Sequence, residues 1–222
     1  MAASRSAGRS LGKLWNAGDR VGACVGHMVF IRPSPILEPF PVLRGAGLLL
    51  RPPTPADYDA WADLRAASKP QLTPFEPLWS SNELSRAAYK TRMKRYQHEM
   101  RSDLGHAFFV FDPLGRTLMG GITLSGVRRG VSQSAFVGYW MGTPYARQGY
   151  ATAALRRTVA YAFEELRLHR LEAACMPTNP ASLRVLEKAG FMREGLARGY
   201  LEIHGAWEDH VLLARLAEDG AT

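Results

Sequence analysis

Residues 138–151 have the types and spacing of an anion-binding site. Residues 135–141 are apolar enough for a buried strand, a turn containing a glycine and a proline follows, and an apolar helical pattern begins at Gly149. The first amides of a helix have no intrahelical partner, and the helix dipole adds partial positive charge there. The backbone of residues 147–151 is therefore predicted to hold a phosphate or pyrophosphate, which Gly149 allows to approach closely.

A second polar group follows the next predicted strand, at Asn179 and Ser182. Asn179 is a favourable N-cap, Pro180 suits the first helical position, and Gly190 ends the helix. The preceding strand, residues 170–175, is expected to pass beside the phosphate loop, so Asn179 and Ser182 are predicted to face the same cleft. Helix capping alone is the simpler role for Asn179, and the two roles are compatible.

A proline-rich loop at residues 70–81 carries aromatic and acidic side chains. Loops of this length inside a compact domain are commonly functional. Phe75, Glu76 and Trp79 would form a semi-rigid rim suited to the apolar side chain and the amine of a substrate. A packed corner of the domain is the alternative interpretation.

The elements that must position these residues indicate a mixed α/β fold, because strands and helices alternate only in the second half of the chain. Three antiparallel-type strands joined by tight turns are followed by a strand, a helix, a strand, a second helix and a last hairpin. Capping residues predict a first helix that begins after Thr54 and ends near Ser68. A basic helix is predicted over residues 82–101.

The composition is that of a globular protein with one core, since 46% of the 222 residues are hydrophobic and 22% are charged. A net charge of +8 suits an anionic cofactor or a ribosome-like partner, although arginines that merely solvate the surface would explain it as well. Cys24 and Cys175 provide neither a disulfide framework nor metal-ligand spacing, which favours a reducing cytoplasm.

The first 30 residues differ from the rest of the chain. They are rich in Arg and Ser, and their apolar run at residues 21–31 is too short to span a bilayer and lacks a clear secretory cleavage site. We expect residues 1–30 to be a disordered or mis-started basic extension, with an organellar transit peptide as the alternative. Residues 31–219 are expected to form a single domain.

Two motifs, in this order, carry a family resemblance: Trp140-x-x-x-x-Tyr-Ala-Arg-Gln-Gly-Tyr-Ala-Thr and Asn179-x-x-Ser-x-x-Val-Leu-Glu-Lys-x-Gly-Phe-x-x-Glu-Gly. Together they resemble the GNAT acyl-CoA N-acyltransferase superfamily. Within it, the chain is most similar to the ribosomal-protein-alanine N-acetyltransferase family, including Asp209 near the last strand. The resemblance covers residues 43–216.

The resemblance implies a GNAT fold, in which a central, mostly antiparallel sheet is splayed between two parallel neighbouring strands and flanked by helices. It also implies acetyl-CoA as co-substrate and no metal. The backbone of the strand ending in Tyr139, Trp140 and Met141 would pair with the pantetheine arm of CoA, and Asn179 would also contact the cofactor. The CoA pyrophosphate would bind to Arg147, Gln148, Gly149, Tyr150 and Ala151.

Two departures from the superfamily pattern change the expected chemistry. Ala146 stands where the signature usually has Gln or Arg, so the phosphate contacts rest on the backbone and on Arg147. Leu186 stands where many members have a tyrosine that protonates the CoA thiolate, so Ser182 is predicted to be the acid instead. For the base that deprotonates the acceptor amine, Glu76, Tyr139 and backbone carbonyls acting through water all stay open.

The function implied by the resemblance is acetyl transfer from acetyl-CoA to the N-terminal α-amine of a ribosomal protein, by direct attack in a ternary complex. The alternatives are a small-molecule amine acetyltransferase, acting on a polyamine, an aminoglycoside or an amino acid, and a CoA-binding sensor without turnover. The implied partners are acetyl-CoA, the acceptor amine and the ribosome, but neither DNA nor a membrane. The protein is expected to be a cytoplasmic monomer or homodimer.

Overall fold

The computed structural model describes residues 40–220. In chain order the strands are β1 (Leu43–Gly45), β2 (Leu48–Arg51), β3 (Gly105–Phe111), β4 (Leu118–Arg128), β5 (Ser134–Met141), β6 (Arg170–Cys175), β7 (Met192–Ile203) and β8 (Ala206–Leu216). The α-helices are α1 (Tyr58–Ala67), α2 (Lys69–Leu72), α3 (Arg86–Arg101), α4 (Tyr150–Ala160) and α5 (Pro180–Lys188).

The described strands form one open sheet in the order β1-β2-β3-β4-β5-β6-β8-β7. Within the described sheet, β5 and β6 are the single parallel pair, and every other neighbouring pair is antiparallel. The parallel pair is joined by α4, as a parallel connection requires a crossover. The predicted mixed α/β architecture is confirmed.

Helices cover both faces of the sheet, and alternation along the inner strands separates two cores. Leu50 of β2 belongs to a cluster with Leu155 of α4 and with the apolar residues of α5. Its neighbour Leu49 points the other way, into a cluster with Trp61 of α1 and Tyr89 of α3. We refer to these sides as the α4/α5 face and the α1/α3 face.

The parallel pair separates halfway along its length. β5 and β6 are in register only from Ser134 opposite Arg170 to Phe136 opposite Glu172. Beyond these residues β5 continues to Met141 and β6 to Cys175 without pairing to each other. The predicted splaying of these two strands is therefore present, and it opens a slot through the sheet.

Two local predictions were wrong at their boundaries. The segment at residues 70–81 is not a loop throughout, because α2 includes Pro70 in its first turn and a 3-10 turn spans Thr73–Phe75. A proline is tolerated there because the first amides of a helix need no intrahelical acceptor. The basic helix begins at Arg86 rather than at residue 82, since the Ser85 hydroxyl accepts a hydrogen bond from the Ala88 amide at 3.1 Å and caps it.

Residues 1–30 lie outside the described range, so the expected extension there and the expected single domain over residues 31–219 stay predictions. Within residues 40–220, no helix is both long enough and apolar enough to cross a bilayer.

A buried ion pair ties the end of α3 to the turn between β4 and β5. Asp103 accepts hydrogen bonds from Arg129 Nε at 2.6 Å and from Nη2 at 2.7 Å. Burial by itself would raise the pKa of Asp103, but the donors and the charge of Arg129 outweigh it and lower the pKa to about 2. His106 Nε2 lies 3.7 Å from Asp103 Oδ1 and also lowers the pKa of this carboxyl.

Acid should weaken the fold through this pair. Because the folded pKa of Asp103 lies below the ordinary value of 3.8, its contribution is complete above pH 4 and is lost as the pH falls towards 2. We expect Asp103→Asn to lower the free energy of unfolding at pH 7 by about 2 kcal/mol and to remove that part of the acid sensitivity. Asparagine tolerates the positive φ of residue 103, 54°, so backbone strain does not confound the comparison. Urea unfolding at pH 7 and pH 3 measures both effects. If the unfolding free energy falls by the same amount between pH 7 and pH 3 in the variant and in the parent, the prediction is contradicted.

Candidate active site

The predicted phosphate loop lies at the beginning of α4 with its backbone bent for anion binding. Gly149 is the N-cap, with φ +87°, and Arg147 also has a positive φ of 62°. A Cβ atom added to Gly149 would meet no protein atom within 4 Å, so the space above the first amides of α4 is open. Gln148 Nε2 donates to the Pro144 carbonyl at 2.7 Å and closes the loop. The site therefore fits a phosphate group bound by backbone amides.

The loop opens onto a cleft of about 900 Å³ that follows the slot between β5 and β6. The Trp140 carbonyl oxygen lies against Gly120 of β4, and Gly142 donates to the Met119 carbonyl at 2.8 Å. Because alternate residues of a strand turn their backbone groups to opposite sides, Tyr139 and Met141 direct theirs towards the slot. An extended ligand could thus pair with Tyr139 and Met141 as an added strand, whereas the backbone of Trp140 is engaged by β4.

Ser182 and Tyr139 meet across the slot, although they are 43 residues apart. The Ser182 Oγ lies 2.8 Å from the Tyr139 hydroxyl, which also donates to the Ser182 carbonyl at 3.1 Å. Asn179 caps α5 by accepting from the Ser182 amide at 3.0 Å, which fixes the position of Ser182. The structure therefore brings together three of the predicted site residues.

The Tyr139 phenol stays protonated at neutral pH. Burial raises its pKa well above the ordinary value, and the hydrogen bond with Ser182 offsets only part of this effect. Tyr139 is consequently favoured as a proton donor, rather than as the base that the sequence left open. Leu186, at the position where the resemblance implies a tyrosine, is a buried core residue, and Tyr139 of β5 brings a phenol to the same helix instead.

Cys175 ends β6 beside this pair as a buried thiol. Its Sγ lies 3.6 Å from the Met176 carbonyl oxygen and 3.7 Å from that of Asn179. Burial raises the pKa of the thiol, which keeps it protonated and unreactive at neutral pH.

Glu76 lies on the opposite side of the cleft and is fully engaged in an ion pair. Its two carboxylate oxygens accept from Arg65 Nη1 and Nη2, each at 2.7 Å, and Trp79 Nε1 donates to Oε2 at 2.8 Å. The Arg65 guanidinium also lies 5.0 Å from the centre of the Trp140 ring. Because both carboxylate oxygens are already engaged by these donors, the geometry favours a rim that positions the substrate.

Among the cleft residues that the sequence-based set lacked are three basic side chains, Arg184, Lys188 and His210. Arg184 and Lys188 lie on α5 four residues apart, a spacing that places both on one face of the helix and could have been read from the sequence. His210 borders the cleft from β8. Its neighbour Asp209 instead accepts from the Gly199 amide at 2.7 Å and stabilises the irregular part of β7. Within residues 40–220, no group of three or more potential metal ligands occurs.

The comparison with known families agrees with this geometry. Residues 47–192 match the family model described as "Acetyltransferase (GNAT) domain". The chain belongs to the GNAT acetyltransferase family. It is thus an acyl-CoA-dependent acetyltransferase with acetyl-CoA as co-substrate.

Individual relatives of this GNAT chain include proteins named for ribosomal substrates. The chain is 36% identical over 178 residues to the "Probable N-acetyltransferase YjcK" of Bacillus subtilis, and the match covers 80% of this chain and 98% of that protein. It is 32% identical over 165 residues to the "[Ribosomal protein uS5]-alanine N-acetyltransferase" of Escherichia coli, covering 73% of this chain and 85% of that one. The solved structure of Mycobacterium smegmatis RimJ in complex with CoA-disulfide has 33% identity and a TM-score of 0.75, over 81% of this chain and 87% of RimJ.

Proposed function

We propose that this GNAT acetyltransferase transfers the acetyl group of acetyl-CoA to the N-terminal α-amine of a protein, and that its acceptors are ribosomal proteins. Similarity to the uS5-alanine acetyltransferase and to RimJ supports the choice of acceptor. We further propose that the enzyme acts in the cytoplasm and meets its acceptor on or near the ribosome.

The charge of the cleft is the observation that carries this proposal. Among the described residues that line it, Glu76 is the single carboxylate, and Arg65 neutralises it. The cationic side chains of Arg147, Arg184 and Lys188 line the same cleft and suit the phosphates of CoA. A polyamine or an aminoglycoside carries several positive charges and would find no free carboxylate here. A peptide with a single terminal amine does not need a free carboxylate in the cleft.

Ser182 and Tyr139, on the α4/α5 face, would protonate the leaving group. When the amine attacks the thioester carbonyl carbon, the C–S bond breaks and the thiolate must gain a proton. The hydrogen-bonded pair of Ser182 and Tyr139 can deliver it, because both hydroxyls are protonated and share one short contact. Backbone amides of β5 that face the slot are placed to stabilise the oxyanion that forms on the carbonyl oxygen.

A panel of acceptors tests the proposal. Thiol release from acetyl-CoA should be fastest with peptides whose free N-terminus matches a ribosomal protein, and slow with spermidine and with an aminoglycoside. Mass spectrometry of the product should place the acetyl group on the α-amine. The matched control is the same peptide with a blocked N-terminus and a free internal lysine, which should not react. Faster turnover of spermidine or of the blocked peptide would overturn the proposed acceptor.

A further inference from the structure

His210 occupies the open end of the slot. It lies on β8 opposite Ala197 of β7, one residue before Val211, which pairs with Cys175 at the end of β6. The residue is only 3% exposed, yet it borders the cleft. At this end of the slot β5 and β6 no longer pair, so the imidazole would lie beside a thioester bound there.

The tautomer of His210 is fixed by its own strand. Nδ1 lies 2.9 Å from the Glu208 carbonyl oxygen, which can only accept a hydrogen bond, so Nδ1 carries the proton in the neutral ring. Nε2 then carries the lone pair. Among the described residues, no hydrogen-bond partner is found for Nε2. The ring therefore combines a fixed orientation with an unused proton acceptor.

The position of His210 in the sheet places it across the slot from the proton-donating pair. Val211 and Leu213 belong to the cluster on the α4/α5 face, the face of Tyr139 and Ser182. Because side chains alternate along a strand, His210 points to the α1/α3 face, where Arg65 holds Glu76. Acid and base would thus approach a thioester in the slot from opposite sides.

We propose that His210 is the general base that deprotonates the acceptor amine. This assignment deepens the proposed function, because it concerns the same acceptor site. Nε2 takes one proton from the ammonium group, and the free amine forms the C–N bond while the C–S bond breaks. The thiolate takes a proton from the pair of Ser182 and Tyr139, which recovers it from the amide nitrogen. His210 returns its proton to solvent, so one proton is released for each amide and thiol formed.

His210 takes the role of base that the sequence left open for Glu76, because the Glu76 oxygens already accept three hydrogen bonds. Other titratable groups lie near His210. The Tyr200 ring of β7 packs 5.9 Å from the imidazole, and Glu208 lies two residues earlier on the same side of β8. Glu76 borders the same cleft from the α1/α3 face.

The variant His210→Asn tests this proposal. The asparagine amide nitrogen can occupy the place of Nδ1 and keep the hydrogen bond to the Glu208 carbonyl, while the acceptor at Nε2 is lost. We expect kcat to fall by about 10²- to 10⁴-fold with the dissociation constant for acetyl-CoA unchanged. The acidic limb of the kcat/KM pH profile should move up to the pKa of the acceptor amine itself, about 8, because without the base only amine that is already deprotonated can react. His204→Asn is the matched control, because His204 is exposed on the same hairpin, and it should keep both rate and profile.

Three outcomes would overturn the assignment. They are a kcat for His210→Asn close to that of the parent, an acidic limb that stays at the same pH in this variant as in the parent, and a parent profile without any acidic limb. The last is measured on the unmodified enzyme and needs no variant to fold. In addition, imidazole should restore turnover to His210→Ala, and failure to do so in a folded variant that binds acetyl-CoA counts against the base role. If the parent acetylates only small amines, the proposed protein acceptor fails, while the same comparison with such an amine still tests His210.

Discussion

Replacing Gly149 with valine should abolish measurable acetyl-CoA binding, with a loss of affinity of at least about 100-fold, equivalent to about 2.7 kcal/mol. The first amides of α4 face open space above Gly149, and a branched side chain would fill the place of the pyrophosphate. The φ of +87° adds a second cause, since a β-branched residue strains this conformation and would bend the loop away from its anion-binding shape.

Gly130→Val is the matched control for this prediction. Gly130 also has a positive φ, 68°, and a Cβ atom there would meet no atom within 4 Å, but it lies in the turn between β4 and β5, at the end of β5 away from the cleft. Both variants should lose similar stability in thermal unfolding, while calorimetry should show loss of acetyl-CoA binding for Gly149→Val alone. If Gly149→Val binds acetyl-CoA as the parent does, the pyrophosphate site is elsewhere.

Ser182→Ala and Tyr139→Phe should each reduce kcat by about 10²- to 10³-fold while leaving acetyl-CoA affinity within about threefold. The two hydroxyls form one hydrogen-bonded unit at 2.8 Å, so removing either interrupts delivery of the proton to the thiolate. For the same reason the double variant should be no slower than the slower single variant, because residues that act as a unit give non-additive losses.

Single-turnover kinetics and CoA calorimetry on the four proteins of this cycle separate the possible results. Losses that multiply in the double variant would mean that Ser182 and Tyr139 act independently. Equal losses in rate and in affinity would mean that they position CoA rather than protonate it. Cys175→Ser is the matched control, since this neighbouring thiol is buried and protonated and its replacement should leave kcat nearly unchanged.

Features set by short-range interactions could be predicted from the sequence alone. Gly149 and Asn179 mark helix starts because capping depends on neighbours within four residues, and the structure places α4 and α5 directly after them. Strands over residues 170–175 and 135–141 were likewise predicted, and residues 135–141 form an apolar run with turn residues beside it. Even here, the start of α3 depended on which of several polar residues provided the cap, and Ser85 does.

What only the tertiary structure decided is which side chains meet. Tyr139 and Ser182 are joined across a slot that exists because two strands stop pairing, and the position of that separation depends on packing from both faces of the sheet. Arg65 forms a bidentate ion pair with Glu76, and this pair favours Glu76 as part of the cleft rim rather than as the base. His210 became a candidate because one residue of strand register sets whether it faces the cleft. Helix capping therefore predicts the proposed anion site, whereas register and long-range packing decide which side chains are proposed as acid and base and on which side of the slot the acceptor would lie.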